Sequence, residues 1–174
     1  VSISIIYENG VLSRAATRGD GYVGEDVTAN VKTIKSVPLL VNLTKLKFPQ
    51  IFEVRGEVFM EIEEFKKFNA KREQEGLKLF ANPRNSSAGT LKLQDPKMVA
   101  SRPLDIFVYY FLSEDQSFYT QYSNLEHLKK LGFKTNPNYK LCSNINEVLQ
   151  FCQNWEKKRD NLSYEIDGVV AVSY

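Results

Sequence analysis

The 174-residue chain has only two cysteines, two methionines, one tryptophan and one histidine, and each scarcity narrows the chemistry open to it. Cys142 and Cys152 stand apart, with no Cys-x-x-Cys pair and no matching histidine cluster. That argues against a zinc site and against a disulfide framework, so buried, reduced thiols are expected. His127 falls in the charged helical run of residues 125–130, where a surface role is expected rather than a catalytic one. Long apolar runs are also missing. The first residues, Val1 to Tyr7, alternate like a strand, carry no basic leader and are too short for a signal peptide or a membrane span, so a cytoplasmic protein without membrane contact is expected. Charge of one sign is missing as well. With 23 Lys and Arg against 21 Asp and Glu, the formal charge of +2 makes no strong global field. Any nucleic-acid contact would come from a local patch or from another domain.

What is present suits one mixed domain. A chain of this size can bury roughly 70% of its unfolded surface, enough for a real core. Residues 2–7 and 12–17 read as strands of a hairpin turned at Asn9-Gly10, a strong short-range hairpin signal. A glycine-punctuated run over 18–24 follows, then a short helix over 25–34 with acids at its start, ended by Pro38. Residues 51–60 alternate as a half-buried strand, with Gly56 where something approaches the backbone closely. A helix over 61–75 carries Ile62, Phe65 and Phe68 on one side. The nearly continuous apolar run 104–112 reads as a central strand covered on both faces. Helices over 122–131 and 145–160 and a last strand over 165–172 complete an α+β chain without repeats.

The segment 79–96, with Asn82-Pro83-Arg84 at its centre, has almost no periodic apolar face. Pro83 restrains Asn82 to an extended conformation, so Arg84 is presented from a stiff turn, and Ser86-Ser87 can cap a short helix. A helix N-terminus beside an arginine suits an anion; an ordinary exposed loop would read the same way. On the strand at 51–60, Arg55 and Glu57 share a face, and the Glu57 carboxylate can accept both hydroxyls of a sugar diol. An outward Arg/Glu pair on a solvated strand is the plainer reading. Arg18 ahead of the glycines is a second cation for a phosphate, although the run has neither Walker nor GxGxxG spacing. Tyr109 and Tyr110 offer aromatic faces for a base, with core packing expected of at least one. Asp167-Gly168 sets a carboxylate beside a backbone gap, with Val169 and Val170 able to line an apolar pocket; a plain turn would look similar.

Six strings in order, Ala16 to Gly21, Gly24 to Asn30, Glu53 to Val58, Phe80 to Pro96, Arg102-Pro103-Leu104 and Glu165 to Val170, span nearly the whole chain. Together they resemble the adenylation (nucleotidyltransferase) domain of bacterial NAD-dependent DNA ligases. The resemblance implies a nucleotidyltransferase fold, ATP-grasp-like and shared by DNA ligases and mRNA capping enzymes, with antiparallel sheets and peripheral helices. It implies that a lysine attacks NAD, releases nicotinamide mononucleotide, and passes AMP to the 5′-phosphate of a nick in double-stranded DNA, with Mg2+ assisting.

Carried onto this sequence, Glu57 would hold the adenylate ribose, Arg18 would contact the nucleotide, and Tyr109 would stack on adenine opposite Val170. Arg84 and Lys92 would contact DNA or phosphate, and Asp167 would support the metal or leaving phosphate; no residue of this chain is expected to be a metal ligand in its own right. The family's nucleophilic lysine belongs to a Lys-x-Asp-Gly motif expected just upstream of Val1, which makes the chain a truncated adenylation domain, inactive alone and monomeric. Glu165-Ile166-Asp167-Gly168 has glutamate in the lysine position and belongs to a different motif. Val172 stands where the family usually has a lysine, and Lys92 where many members have arginine. A degenerate module that binds a nucleotide or DNA without chemistry is the alternative.

Overall fold

The computed structural model describes residues 1–19, 21, 23–42, 49–114 and 120–172. Asp20 and Tyr22, in the glycine run read from the sequence, lie outside the described residues. The elements are β1 (Ser2–Glu8), β2 (Val11–Thr17), α1 (Thr28–Val31), β3 (Ile51–Met60), α2 (Ile62–Gln74), α3 (Pro83–Leu91), α4 (Pro96–Ala100), β4 (Leu104–Leu112), α5 (Gln121–Lys130) and α6 (Ile145–Lys158). The strands form one antiparallel sheet in the order β2-β1-β3-β4. The α+β class read from the sequence therefore holds.

Local chemistry explains the elements that the sequence announced. Asn9 and Gly10 both take positive φ, 50° and 80°, the geometry that a tight two-residue hairpin loop requires. Alternation along β3 buries Phe52, Val54, Val58 and Met60 on one face. They join Ile3, Ile5 and Tyr7 of β1 and Ile106, Val108 and Phe111 of β4 in the core. Across it, Tyr7 stacks on Phe52 at 5.0 Å and Phe52 on Phe111 at 5.2 Å. The buried Tyr7 hydroxyl donates to Pro38 O at 2.6 Å, and burial pushes its pKa up. Gly56 sits at a bulge between β3 and β4; a Cβ there would lie 2.8 Å from Ile106 Cδ1 and 2.9 Å from Phe107 O. The close approach expected at Gly56 is thus made by the neighbouring strand.

Five expectations need correction. The helix expected over 25–34 shrinks to Thr28–Val31, because residues 25–27 run beside β2: Thr17 N donates to Glu25 O and Val27 N to Ala15 O. An extended segment tied to a strand cannot also wind into a helix. β4 is not central; it ends the sheet among the described residues. Its apolar outer face is covered instead by side chains, with Phe107 against Phe59 at 4.6 Å and against Tyr164 at 5.1 Å. Its edge is partly satisfied by Val108 N donating to Lys134 O and Gln121 Nε2 to Tyr109 O.

Residues 165–172 form no strand, and Val170 and Val172 stand 87% and 62% exposed, with no ladder partner among the described residues. Cys142 and Cys152 are free but half-buried rather than buried. His127 is not on the open surface: its ring packs edge-on against Phe111 at 5.3 Å, and burial, then the charge of Lys130, lowers its pKa. No helix among the described residues is long and apolar enough to cross a membrane.

Candidate adenylate site

The sheet has a second face, opposite the core, and Glu57 lies on it. In antiparallel pairs, opposed residues share a face. Glu57 opposes Ser2 of β1 and Phe107 of β4, while Arg55 opposes Ser4 and Tyr110. The Glu57 carboxylate lies beside the first residues of β1, where Ser2 Oγ donates to Oε2 at 2.7 Å. The Arg55/Glu57 proximity read from the sequence is not an ion pair. Arg55 Nε donates to Glu53 Oε1 at 2.7 Å, and that hydrogen bond raises the Arg55 pKa. Its guanidinium also lies 5.9 Å from the centre of the Tyr110 ring.

Arg18 follows β2, and its amide donates to Ser2 O at 3.1 Å, which fixes its backbone beside the strand position that holds Glu57. Tyr109 is the extra residue of the β4 bulge, since Tyr110 opposes Arg55 and Val108 opposes Gly56. Tyr109 and Tyr110 are each 39% exposed, so neither takes the core position expected of one of them. A nucleoside needs a hydroxyl acceptor and an aromatic surface. Glu57, with the exposed Tyr110 along the same face, has both types of group.

Arg84 and Asp167, far apart in sequence, do meet: Arg84 Nη1 donates to Asp167 Oδ2 at 3.3 Å. The helix that carries Arg84 starts earlier than the serine pair suggests. Asn82 is its cap, extended as Pro83 demands (φ −158°, ψ 168°), and its side chain accepts from Asn85 N at 2.8 Å. Ser86 and Ser87 lie inside the helix and are buried, with Ser87 Oγ donating to Pro83 O and Ser86 Oγ to the sulfur of Met60. Lys92 closes the other end of α3, about 12 Å along the axis from Arg84 at 1.5 Å per residue. It pairs with Glu25 at 2.7 Å. Lys92 and Arg84 therefore do not converge, and the 87% exposed Val170 does not pack on Tyr109.

Tyr164 is a participant that the sequence reading passed over. Its ring covers Phe59 and Phe107, while its hydroxyl accepts from Asn136 and Asn138. Ser163 O accepts from Ile62 N at 2.8 Å, so the segment leading to Asp167 is anchored on the site's side of the sheet. An isolated tyrosine after a polar turn gave no periodic signal of this.

A family model for the NAD-dependent DNA ligase adenylation domain matches residues 1–173. The chain belongs to that family. It is similar to the DNA ligase of Fervidobacterium nodosum, 54% identical over 171 residues, and to that of Thermotoga petrophila, 50% identical over 171 residues. Each match covers 98% of this chain and 24% of the relative. The DNA ligase of Mycoplasma capricolum is 48% identical over 170 residues, covering 98% of this chain and 25% of the relative. The chain thus spans about a quarter of the length of these relatives.

Membership of the ligase adenylation family implies NAD as the adenylate donor, and the half-exposed carboxylate and aromatic rings fit its adenosine half. Magnesium fits less well. Among the described residues no group of three or more His, Cys, Asp or Glu gathers as a metal site, and the Asp167 carboxylate is engaged by Arg84.

Proposed function

We propose that this chain is the adenylate-handling part of an NAD-dependent DNA ligase, which seals nicks in duplex DNA through lysyl-AMP and DNA-adenylate intermediates and releases nicotinamide mononucleotide. The observation that carries the reading is the position of Glu57, opposite Ser2 of β1 on the outer face of the sheet. Glu57 accepts the ribose hydroxyls, Arg18 reaches a nucleotide phosphate, and Tyr109 stacks on adenine, with Val170 opposite once residues 165–172 lie against the sheet. Arg84 and Lys92 contact phosphate or the nicked strand, and Asp167 orients Arg84.

Residues preceding Val1 would bring a lysine near Glu57, because Ser2 opposes Glu57 in the β1–β3 ladder. Attack of its amine on the α-phosphorus of NAD forms the P–N bond and breaks the bond to the nicotinamide nucleotide, which leaves with the electron pair. The 174 residues alone are then inactive, the full-length protein is a monomer acting on nicked DNA, and nick sealing is its activity. The test extends the chain upstream with the residues of its parent reading frame and incubates it with NAD and magnesium. A mass increase of one AMP is expected. A folded, extended protein carrying a Lys-x-Asp-Gly motif and no adduct would overturn the reading.

A further inference from the structure

The string Gly24 to Asn30 takes no part in the adenylate site, yet it grips the end of α3 that carries Lys92. Asn30 is buried, and its Nδ2 donates to Leu91 O and to Leu93 O, each at 2.7 Å, on either side of Lys92. At the other end of the string, Thr17 fixes Glu25. Thr17 N donates to Glu25 O and Glu25 N to Thr17 Oγ1, each at 3.0 Å. Both backbones are therefore held. Glu25 and Lys92 line one open groove of about 330 Å³ with Asp26, Thr28, Asn30 and Gln94, and Lys92 Nζ lies 2.7 Å from Glu25 Oε2.

The Lys92 and Glu25 side chains are 50% and 60% exposed. An ion pair with that much water around it contributes little, so the ammonium changes partners easily. Asp26 is not the next partner, because its carboxylate accepts from Thr28 N at 2.9 Å and from Thr28 Oγ1 at 2.6 Å. A phosphate of the DNA backbone is a strong acceptor, and neutralising it releases a condensed counterion. Drawing Lys92 onto that phosphate leaves the Glu25 carboxylate unpaired nearby, and like charges repel. The clamped backbone of Glu25 keeps the carboxylate there.

We propose that Glu25 is an electrostatic competitor for Lys92: its carboxylate holds the ammonium in the free protein and gives it up to a backbone phosphate of DNA, so Glu25 limits DNA affinity without itself contacting DNA. The inference rests on the reading of Lys92 as a phosphate contact. The test measures binding of the full-length protein to a labelled duplex with a dideoxy-terminated nick, which cannot be sealed, by fluorescence anisotropy over a range of salt concentrations. Lys92→Gln should weaken binding and reduce the slope of log affinity against log salt by about one unit.

Glu25→Gln keeps the shape and removes the charge, and it should tighten binding about two- to fivefold, the range for an exposed pair. In the Lys92→Gln background the same change should give a smaller gain, because only the repulsion between Glu25 and phosphate is then relieved. Should Glu25→Gln fail to fold by circular dichroism, Glu25→Asp keeps the charge and shortens its reach, and an intermediate gain is expected. Unchanged or weaker binding in the folded Glu25 variant, or an equal gain with and without Lys92, overturns the competition. Wild-type affinity in Lys92→Gln would instead remove Lys92 from the DNA contacts, and the competition with it.

Discussion

Arg55 Nε donates to Glu53 at 2.7 Å and makes no ion pair with Glu57, although both acids lie two residues from it on the same face of β3. Glu57 instead accepts from Ser2 Oγ at 2.7 Å. The two carboxylates therefore have separate duties, one to an arginine and one to the start of β1. Glu57→Ala in the upstream-extended protein should abolish the AMP adduct while urea denaturation shows a folded domain. Glu53→Ala should leave adduct formation near normal and lower stability by about 0.2–1 kcal/mol, the range for exposed pairs. Equal loss of adduct in both variants would show that the face acts as one charge cluster and that Glu57 has no special role.

Gly56 is required by packing, not by an unusual backbone angle. A methyl group there meets Phe107 O, which is fixed in the β3–β4 ladder, and the branched end of Ile106. We predict that Gly56→Ala destabilises the domain by about 1–3 kcal/mol through overpacking. Chemical denaturation of the variant, with the midpoint compared at an unchanged slope, checks this.

Where the signal was local, the sequence was a good guide to these features. Asn9-Gly10 requires positive φ at two positions and so names the hairpin; the alternation along most of residues 51–60 places Glu57 and Phe52 on opposite faces before any partner is known. Failures came where the deciding contact is distant. Either Glu53 or Glu57 satisfies a two-residue spacing to Arg55, and the Ser2 hydroxyl on the neighbouring strand engages only Glu57. The 104–112 run looked central because its outer face is apolar, yet the cover is Tyr164, supplied from beyond α6. Residues 165–172 have strand composition, but a strand also needs an edge to pair with, and composition does not supply one.

The cap of α3 decides how Arg84 is presented. Asn82 Oδ1 satisfies the Asn85 amide at the start of this helix. Asn82→Ala is expected to cost about 1 kcal/mol, and Asn82→Ser or Asn82→Asp much less, because either restores the acceptor. Thermal unfolding of the three variants tests this, and equal losses in all three would assign the effect to something other than the cap.

Asp105 gives the fold a pH dependence of known sign. Burial works to raise its pKa, but hydrogen bonds from Lys134, from Ser36 Oγ at 2.5 Å and from the Ile106 amide outweigh burial, so the carboxyl sits below its ordinary value. A carboxylate whose folded pKa is depressed contributes stability above its unfolded pKa, about 3.9, and loses it as the pH falls through the lower folded value. Wild-type stability should therefore decline as the pH drops below about 4. Asp105→Asn should show less of that decline and lower stability at neutral pH. An unchanged acid limb in denaturation curves would show that Asp105 is not a contributor.

The Arg84–Asp167 pair separates structural from catalytic roles because it lies in the open. The two side chains are 70% and 97% exposed, and a contact screened by water to that degree is worth about 0–1 kcal/mol to the fold. Neither Arg84→Ala nor Asp167→Asn should move the unfolding midpoint appreciably. In the full-length protein each should nonetheless impair nick sealing, Arg84→Ala by removing a phosphate contact and Asp167→Asn by releasing the guanidinium it orients. Sealing is best followed with a pre-adenylated nick, which bypasses the reaction with NAD and isolates the final phosphoryl transfer. Arg84→Lys discriminates further, since it keeps the charge but loses the planar fork. Recovery by lysine would make Arg84 a simple point charge, continued loss would make it a bidentate phosphate ligand, and full activity in Arg84→Ala would remove this arginine from the site.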